Sequence, residues 1–251
     1  IIDFSCLCII PKDSCVVRVF FPEIGLSLLF TVCELHLLNK LTVQKKYQGI
    51  DNYLFRLSER TSNYFVRAGS NKPYEGGSLH RVIKIHVYDN AKYSYLLSGV
   101  FYHDVALFQV KPRFRFSNTV QAIRLPHQFN RSPRKLYVCG WGYTSLQNNA
   151  IFGNFFQPRI SDVLMGVFVS RTPHEICINE TPEYEAIINK EYHLCYGTRG
   201  KDSCYGDSGG PLASRNILYG VVSFGQDCAV VSGVYENVSY YRNWIKEITN
   251  L

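Results

Sequence analysis

An all-β fold, either a sandwich or a barrel, is what this sequence predicts, and three observations predict it. Short runs of β-branched and aromatic residues recur along the chain, turn residues bound them, and a composition 46% hydrophobic and 14% aromatic is rich enough to bury sizeable cores. Val16-Val17-Arg18-Val19-Phe20 reads as the first such strand. The apolar stretch Ile24 to Val32 reads as the next, being too short to span a bilayer and too far from the start for a signal peptide. Arg81-Val82-Ile83-Lys84-Ile85, Leu136-Tyr137-Val138-Cys139 and Leu218-Tyr219-Gly220-Val221-Val222 repeat the pattern. Asn237 to Asn250 departs from it: Tyr241, Trp244, Ile245 and Ile248 are spaced for one apolar face of a closing helix. At 251 residues, with no linker, internal repeat or low-complexity run, the chain fits one unit.

Composition also excludes classes of function. Nine cysteines imply an oxidising, secretory and extracellular setting rather than a zinc site, because no Cys-x-x-Cys pairs with a second such motif. No metal and no cofactor is expected. The formal charge of +7 favours acidic partners, although Arg131, Arg134 and Lys135, a short basic cluster, read as a solvated loop. Nucleic acid is not expected, since the aromatics are spread as core rather than interleaved with basic residues as stacking platforms. Asn130-Arg131-Ser132, Asn179-Glu180-Thr181 and Asn237-Val238-Ser239 have the N-glycosylation pattern, which suits secretion.

One segment carries specific chemistry: Gly200-Lys201-Asp202-Ser203-Cys204-Tyr205-Gly206-Asp207-Ser208-Gly209-Gly210-Pro211-Leu212. It resembles the nucleophile loop of chymotrypsin-like serine proteases, in the wording of the trypsin branch. Tyr102-His103-Asp104-Val105-Ala106-Leu107, Gly140-Trp141-Gly142, Val222-Ser223-Phe224-Gly225, Gly233-Val234-Tyr235 and Tyr241-Arg242-Asn243-Trp244-Ile245-Lys246 match further family segments in the family's order. From Phe65 to the end the likeness is close to continuous.

The resemblance implies two six-stranded antiparallel β-barrels with a cleft between them and a C-terminal α-helix. Residues 1–116 would form the first barrel, 117–126 the connection, and 127–251 the second barrel with the helix. It implies Ser208 as nucleophile, the N–H groups of Gly206 and Ser208 as the oxyanion hole, and Asp104 as the triad aspartate. Asp202 would be the acidic floor of a pocket for Arg or Lys, with Tyr205 at its mouth and Ser223, Gly225 and Gly233 lining the cleft. Asp207 would receive a free amino terminus. Cys177 would pair with Cys195 and Cys204 with Cys228, leaving Cys6, Cys8, Cys15, Cys33 and Cys139 unassigned.

The base is what the sequence lacks. In the family, a cysteine in the wording that Cys33-Glu34-Leu35-His36-Leu37-Leu38-Asn39 resembles is followed sixteen positions on by the cysteine after the catalytic histidine. Counting forward from Cys33 reaches Gly49 and places Gln48 at the histidine position, a register anchored by Leu41-Thr42-Val43 and Val66-Arg67-Ala68-Gly69. An amide can hydrogen-bond Ser208 but cannot take its proton near neutral pH. In a serine protease, loss of the histidine lowers kcat by about a millionfold. His36 falls at the family's serine position, His103 would turn to the face opposite Asp104, and His80, His86, His127, His174 and His193 read as surface residues.

Further departures point the same way. Tyr205 either lies across the mouth of the pocket or swings into solvent. Only Ala229, Val230, Val231 and Ser232 separate Cys228 from Gly233, and Ser232 replaces a proline, so the pocket wall is expected to be remodelled. Asp3-Phe4 replaces two glycines behind Ile1-Ile2, the segment that resembles an activated N-terminus. The wording is therefore similar to the serine protease homologues of invertebrates, including the inactivated protease paralogues of parasitic mites. That implies a secreted, monomeric, catalytically inactive protein that binds protein partners, host proteins or protease targets, and interferes with a host protease cascade such as complement. The alternative is an active endopeptidase cutting after Arg or Lys.

Overall fold

The computed structural model describes residues 7–10, 14–16, 18–21, 26–29, 65–88, 103–144, 161–214 and 217–250, the first four stretches as strand backbone. Gln48, His36, Ile1 and Cys33 lie outside the described residues. The fold is all-β with a C-terminal helix, as expected. The first half contributes β1 (Leu7–Ile10), β2 (Ser14–Val16), β3 (Arg18–Phe21), β4 (Leu26–Leu29), β5 (Phe65–Ala68), β6 (Ser78–Val87) and β7 (Ala106–Lys111). They form one antiparallel seven-stranded sheet in the order β2-β1-β5-β6-β7-β4-β3. The run Val16 to Phe20 is thus not one strand: β2 ends at Val16 and β3 begins at Arg18, and the two sit at opposite edges of the sheet. The β1–β2 register sets Cys8 opposite Cys15.

The second half contains β8 (Lys135–Gly140), β9 (Met165–Arg171), β10 (His193–Gly197), β11 (Pro211–Ser214), β12 (Ile217–Phe224) and β13 (Gly233–Asn237), closed as a six-stranded barrel in the order β10-β13-β12-β11-β8-β9. Its interior follows from strand alternation. Leu136 and Val138 of β8 face inward with Val169, Tyr196, Leu212, Val222 and Tyr235, while Tyr137 between them is only partly buried. Burying a Leu or Val side chain in this way contributes about 1.5–3 kcal/mol. Two short helices, α1 (His174–Cys177) and α2 (Pro182–Ile187), precede β10.

The closing helix α3 (Arg242–Thr249) is shorter at its start than the predicted Asn237 to Asn250. Asn237 ends β13, and its Oδ1 accepts both the backbone N–H and the hydroxyl of Ser239, a local turn that competes with helix. The helix is capped by Asn250 in the left-handed conformation, φ 58°, with its N–H on the Lys246 carbonyl. Tyr241, Trp244, Ile245 and Ile248 pack on Val105, Leu107, Leu218, Val221 and Val238, so the helix covers the place where β7 meets the barrel. Two carboxylates meet at that junction, Glu236 fully buried and Asp104 half-buried.

Candidate functional site

The nucleophile loop is shaped by backbone. Gly206 and Gly209 adopt φ of +89° and +80°, values that other residues adopt only with strain. The Gly209 N–H donates to the Val222 carbonyl and the Gly210 N–H to the Asp207 carbonyl, tying the loop to β12 and to itself. A Cβ on Gly210 would lie 2.6 Å from the Asp207 carbonyl oxygen and 2.9 Å from that of Cys139, so only glycine fits. Among the described residues, the N–H groups of Gly206 and Ser208 are engaged by no carbonyl, which leaves both donors available to a ligand oxygen. Ser208 is half-buried at the edge of the pocket below.

Asp207 is held by the same loop. Its Oδ1 accepts the Gly142 N–H at 2.8 Å and its Oδ2 the Cys204 N–H at 3.0 Å. Burial nonetheless pushes this carboxyl up to about 6, against those two bonds. It lines a cavity of about 280 Å³ together with Gly140, Gly142, Met165, Lys201 and Asp202. This is the site expected to receive an amino terminus; Ile1 itself lies outside the described residues.

A second cavity, about 160 Å³, runs from Ser208 and Ser223 past Gly225 and Gly233 to Asp202. Burial pushes Asp202 up to about 6, opposed by the Ser203 N–H at 2.7 Å, the Ala229 N–H at 3.4 Å and the Tyr235 hydroxyl at 3.4 Å. A Cβ on Gly233 would lie 2.9 Å from Asp202 Oδ1, so glycine there keeps the carboxylate reachable. A floor carboxylate in a narrow, partly apolar slot can take a cationic side chain. Ser232 supplies an N–H that proline lacks and donates it to Glu180 Oε2 at 2.6 Å, while its carbonyl accepts the Tyr184 hydroxyl at 2.9 Å. The shortened loop also brings Ala229, at φ +65°, onto Asp202. Tyr205 lines the cavity, is 46% exposed, and its ring stands 6.3 Å from that of Tyr143.

Disulfides Cys177–Cys195 and Cys204–Cys228 are formed, the second joining the nucleophile loop to the pocket wall. Cys139 is buried in β8.

Asp104 precedes β7, and its Oδ2 accepts the Ser223 hydroxyl at 2.8 Å. His103 points away from it, but not through strand alternation as predicted. It takes a left-handed φ of 55°, with the Val105 N–H on its carbonyl, and its Nδ1 meets the Tyr241 hydroxyl at 3.0 Å. Two other histidines are not surface residues. His80 and His193 are 3% and 4% exposed, because each has polar partners inside: Ser78 and Pro112 for His80, Asn189 and Glu236 for His193. Of the seven histidines in the chain, six are described, and none of these six is hydrogen-bonded to Ser208. Sequence reasoning missed Glu236, which sits in no motif. The signal available was a carboxylate directly after the matched Gly233-Val234-Tyr235 segment.

The comparisons with known proteins agree with this geometry. The family model described as Trypsin matches residues 57–245. Hypodermin-A of Hypoderma lineatum is 37% identical over 182 residues, which is 72% of this chain and 65% of that protein. Trypsin 5G1 of Aedes aegypti is 31% identical over 194 residues, 76% of this chain and 67% of its own. The match thus spans about two thirds of the length of such relatives. Among solved structures, mouse neuropsin superposes with a TM-score of 0.69 at 21% identity, covering 97% of this chain and 93% of its own. The scabies mite inactivated protease paralogue S-D1 does so with 0.68 at 18%, covering 98% and 92%. Both share the fold. With a family match across most of its length, a closed second barrel and the Ser208 loop in place, the chain belongs to the trypsin family of serine proteases.

Proposed function

We propose that this protein is a secreted, catalytically inactive trypsin-like homologue that acts as a monomer by binding other proteins. One observation carries the reading: the position where the family keeps its histidine is Gln48, and no described imidazole is bonded to Ser208 in its place. Without a base the hydroxyl keeps its proton, and the oxyanion donors have no tetrahedral intermediate to stabilise. The scabies mite neighbour is by name an inactivated paralogue, so this fold has outlasted catalysis in another protein. Partners are then host proteins or protease targets held at surface loops, with interference in a host protease cascade such as complement as the biological role. Secretion is supported by the two disulfides and by the exposure of Asn130 and Asn179. Asn179 and Asn237 each have the side-chain amide already donating to a backbone carbonyl, of Glu175 and Glu191, so Asn130 is the better acceptor.

An active endopeptidase cutting after Arg or Lys is the second reading, favoured by the open pocket that ends on Asp202. A fluorophosphonate probe separates the two, since it labels a serine only when base and oxyanion hole cooperate. The inactive reading expects no labelling of Ser208 and no cleavage of an arginine amide. Labelling together with cleavage would establish the enzyme.

A further inference from the structure

Strand β13 carries Glu236, fully buried, to the underside of Asp104. Among the described residues, two hydrogen-bond donors converge on its carboxyl, with a histidine nitrogen close by. Oε1 accepts the Asp104 backbone N–H at 2.8 Å, and His193 Nε2 stands 3.5 Å from the same oxygen. Oε2 accepts the Tyr241 hydroxyl. The His193 Nδ1 accepts the Asn189 N–H at 3.0 Å, so its ring proton is on Nε2, which lies near Glu236 without a hydrogen bond to it. Because Tyr241 gives its proton to Glu236, its oxygen accepts from His103 Nδ1, and the donor chain from His103 also ends on Glu236.

Among the described residues, Asp104 receives a single side-chain donor, the Ser223 hydroxyl. Among the described residues, the ionisable groups around the two carboxylates are His103, His193, Tyr192, Tyr240 and Tyr241, with Tyr88 packed at a tilt on His103. No Lys or Arg among the described residues pairs with either carboxylate. Two carboxyls in one site, with no cation paired to either among the described residues, raise each other's proton affinity, and the charge settles where the donors are more numerous.

We infer that Glu236 holds the buried negative charge of this site and keeps Asp104 as the neutral acid. Glu236 is thus a positioning residue that silences the triad carboxyl independently of residue 48. Burial first, and the Glu236 charge second, push the Asp104 carboxyl well above the ordinary carboxylate range, with the Ser223 bond opposing them. A neutral Asp104 gives no electrostatic stabilisation to a cationic imidazole. Replacing Gln48 by histidine therefore restores the ring but not its counter-charge. The charge assignment concerns the protein as it stands and does not depend on the inactive reading.

The test is a carbon-13 carboxyl titration of the unmodified protein by NMR, with Asp104 identified by its absence in Asp104→Asn. Asp104 is expected to remain protonated at neutral pH, and in Glu236→Gln its titration moves to lower pH. An Asp104 ionised at neutral pH in the native chain, or titrating identically in the two proteins, overturns the inference. The native titration decides the charge assignment even if Glu236→Gln does not fold. For the positioning role, Ser208 labelling by the fluorophosphonate is compared between Gln48→His and Gln48→His/Glu236→Gln. The double variant is expected to react at least about tenfold faster, one pK unit of counter-charge being worth that factor. Equal rates, zero included, overturn that role. Labelling of the unmodified protein would instead bear on the inactive reading alone.

Discussion

The Gly206–Gly210 loop and the Asp104 turn meet through Ser223, but backbone geometry holds the first and side-chain charge holds the second. The loop keeps every feature that gives it shape: two positive-φ glycines, a glycine with no room for a Cβ, an aspartate bonded to two N–H groups, and a disulfide. Those features serve the barrel as much as the chemistry, so retention of Gly-Asp-Ser-Gly-Gly says little about turnover. Around Asp104 no such constraint applies. A second carboxylate fits beside it because the Tyr241 hydroxyl and the Asp104 N–H satisfy it. The lesson is that a motif can be preserved by folding requirements after its catalytic partners have changed.

Four substitutions sharpen or break this contrast. Gly210→Ala is expected to lower stability by about 3 kcal/mol in urea unfolding, since its Cβ meets two carbonyl oxygens that belong to backbone. A loss below about 1 kcal/mol would mean the loop yields easily and is not held by the barrel. Replacing Cys204 and Cys228 by serine together is expected to cost about 3 kcal/mol, from the unfolded-chain entropy of a loop spanning 24 positions.

Asp202→Asn acts in the opposite direction, stabilising the protein by about 1 kcal/mol above pH 6. The folded state raises this carboxyl to about 6, so it holds a proton that the unfolded chain releases near pH 4, and native stability falls as pH rises through that window. The gain should therefore grow between about pH 4 and about pH 6 and disappear below it, read as a difference in Tm. A constant difference at every pH would show that packing, not charge, is responsible. Ser208→Ala is expected to change Tm least, within about 0.5 kcal/mol, because no barrel contact depends on its hydroxyl. A large loss there would return the serine to the structural frame and weaken the comparison.

Much of the site was legible because it is local in sequence. The turn requirements of Gly206 and Gly209, the position of Asp202 six residues before Ser208 and the cysteine pairs are written within short stretches or carried by the family's wording. The closing helix was legible in its apolar face but not in its start, because Asn237 finishes a strand and makes a turn with Ser239 that periodicity does not register. His80 and His193 were misread as surface residues since nothing in their neighbourhoods in sequence reveals the partners that bury them: Pro112 lies 32 residues from His80, and Glu236 is reached from another strand. The open pocket was not legible either, as the direction of the Tyr205 ring depends on where Tyr143 stands.

By itself the sequence determined the all-β class, the shape of the nucleophile loop and, through the family's wording, the two disulfides, since each depends on residue type at fixed spacing. Only tertiary structure decided that a carboxylate from β13 lies beneath one from the start of β7, 132 positions apart in the chain. The physical reason is that protonation in a dry interior depends on which donors and charges come together in space, and barrel closure alone brings these together.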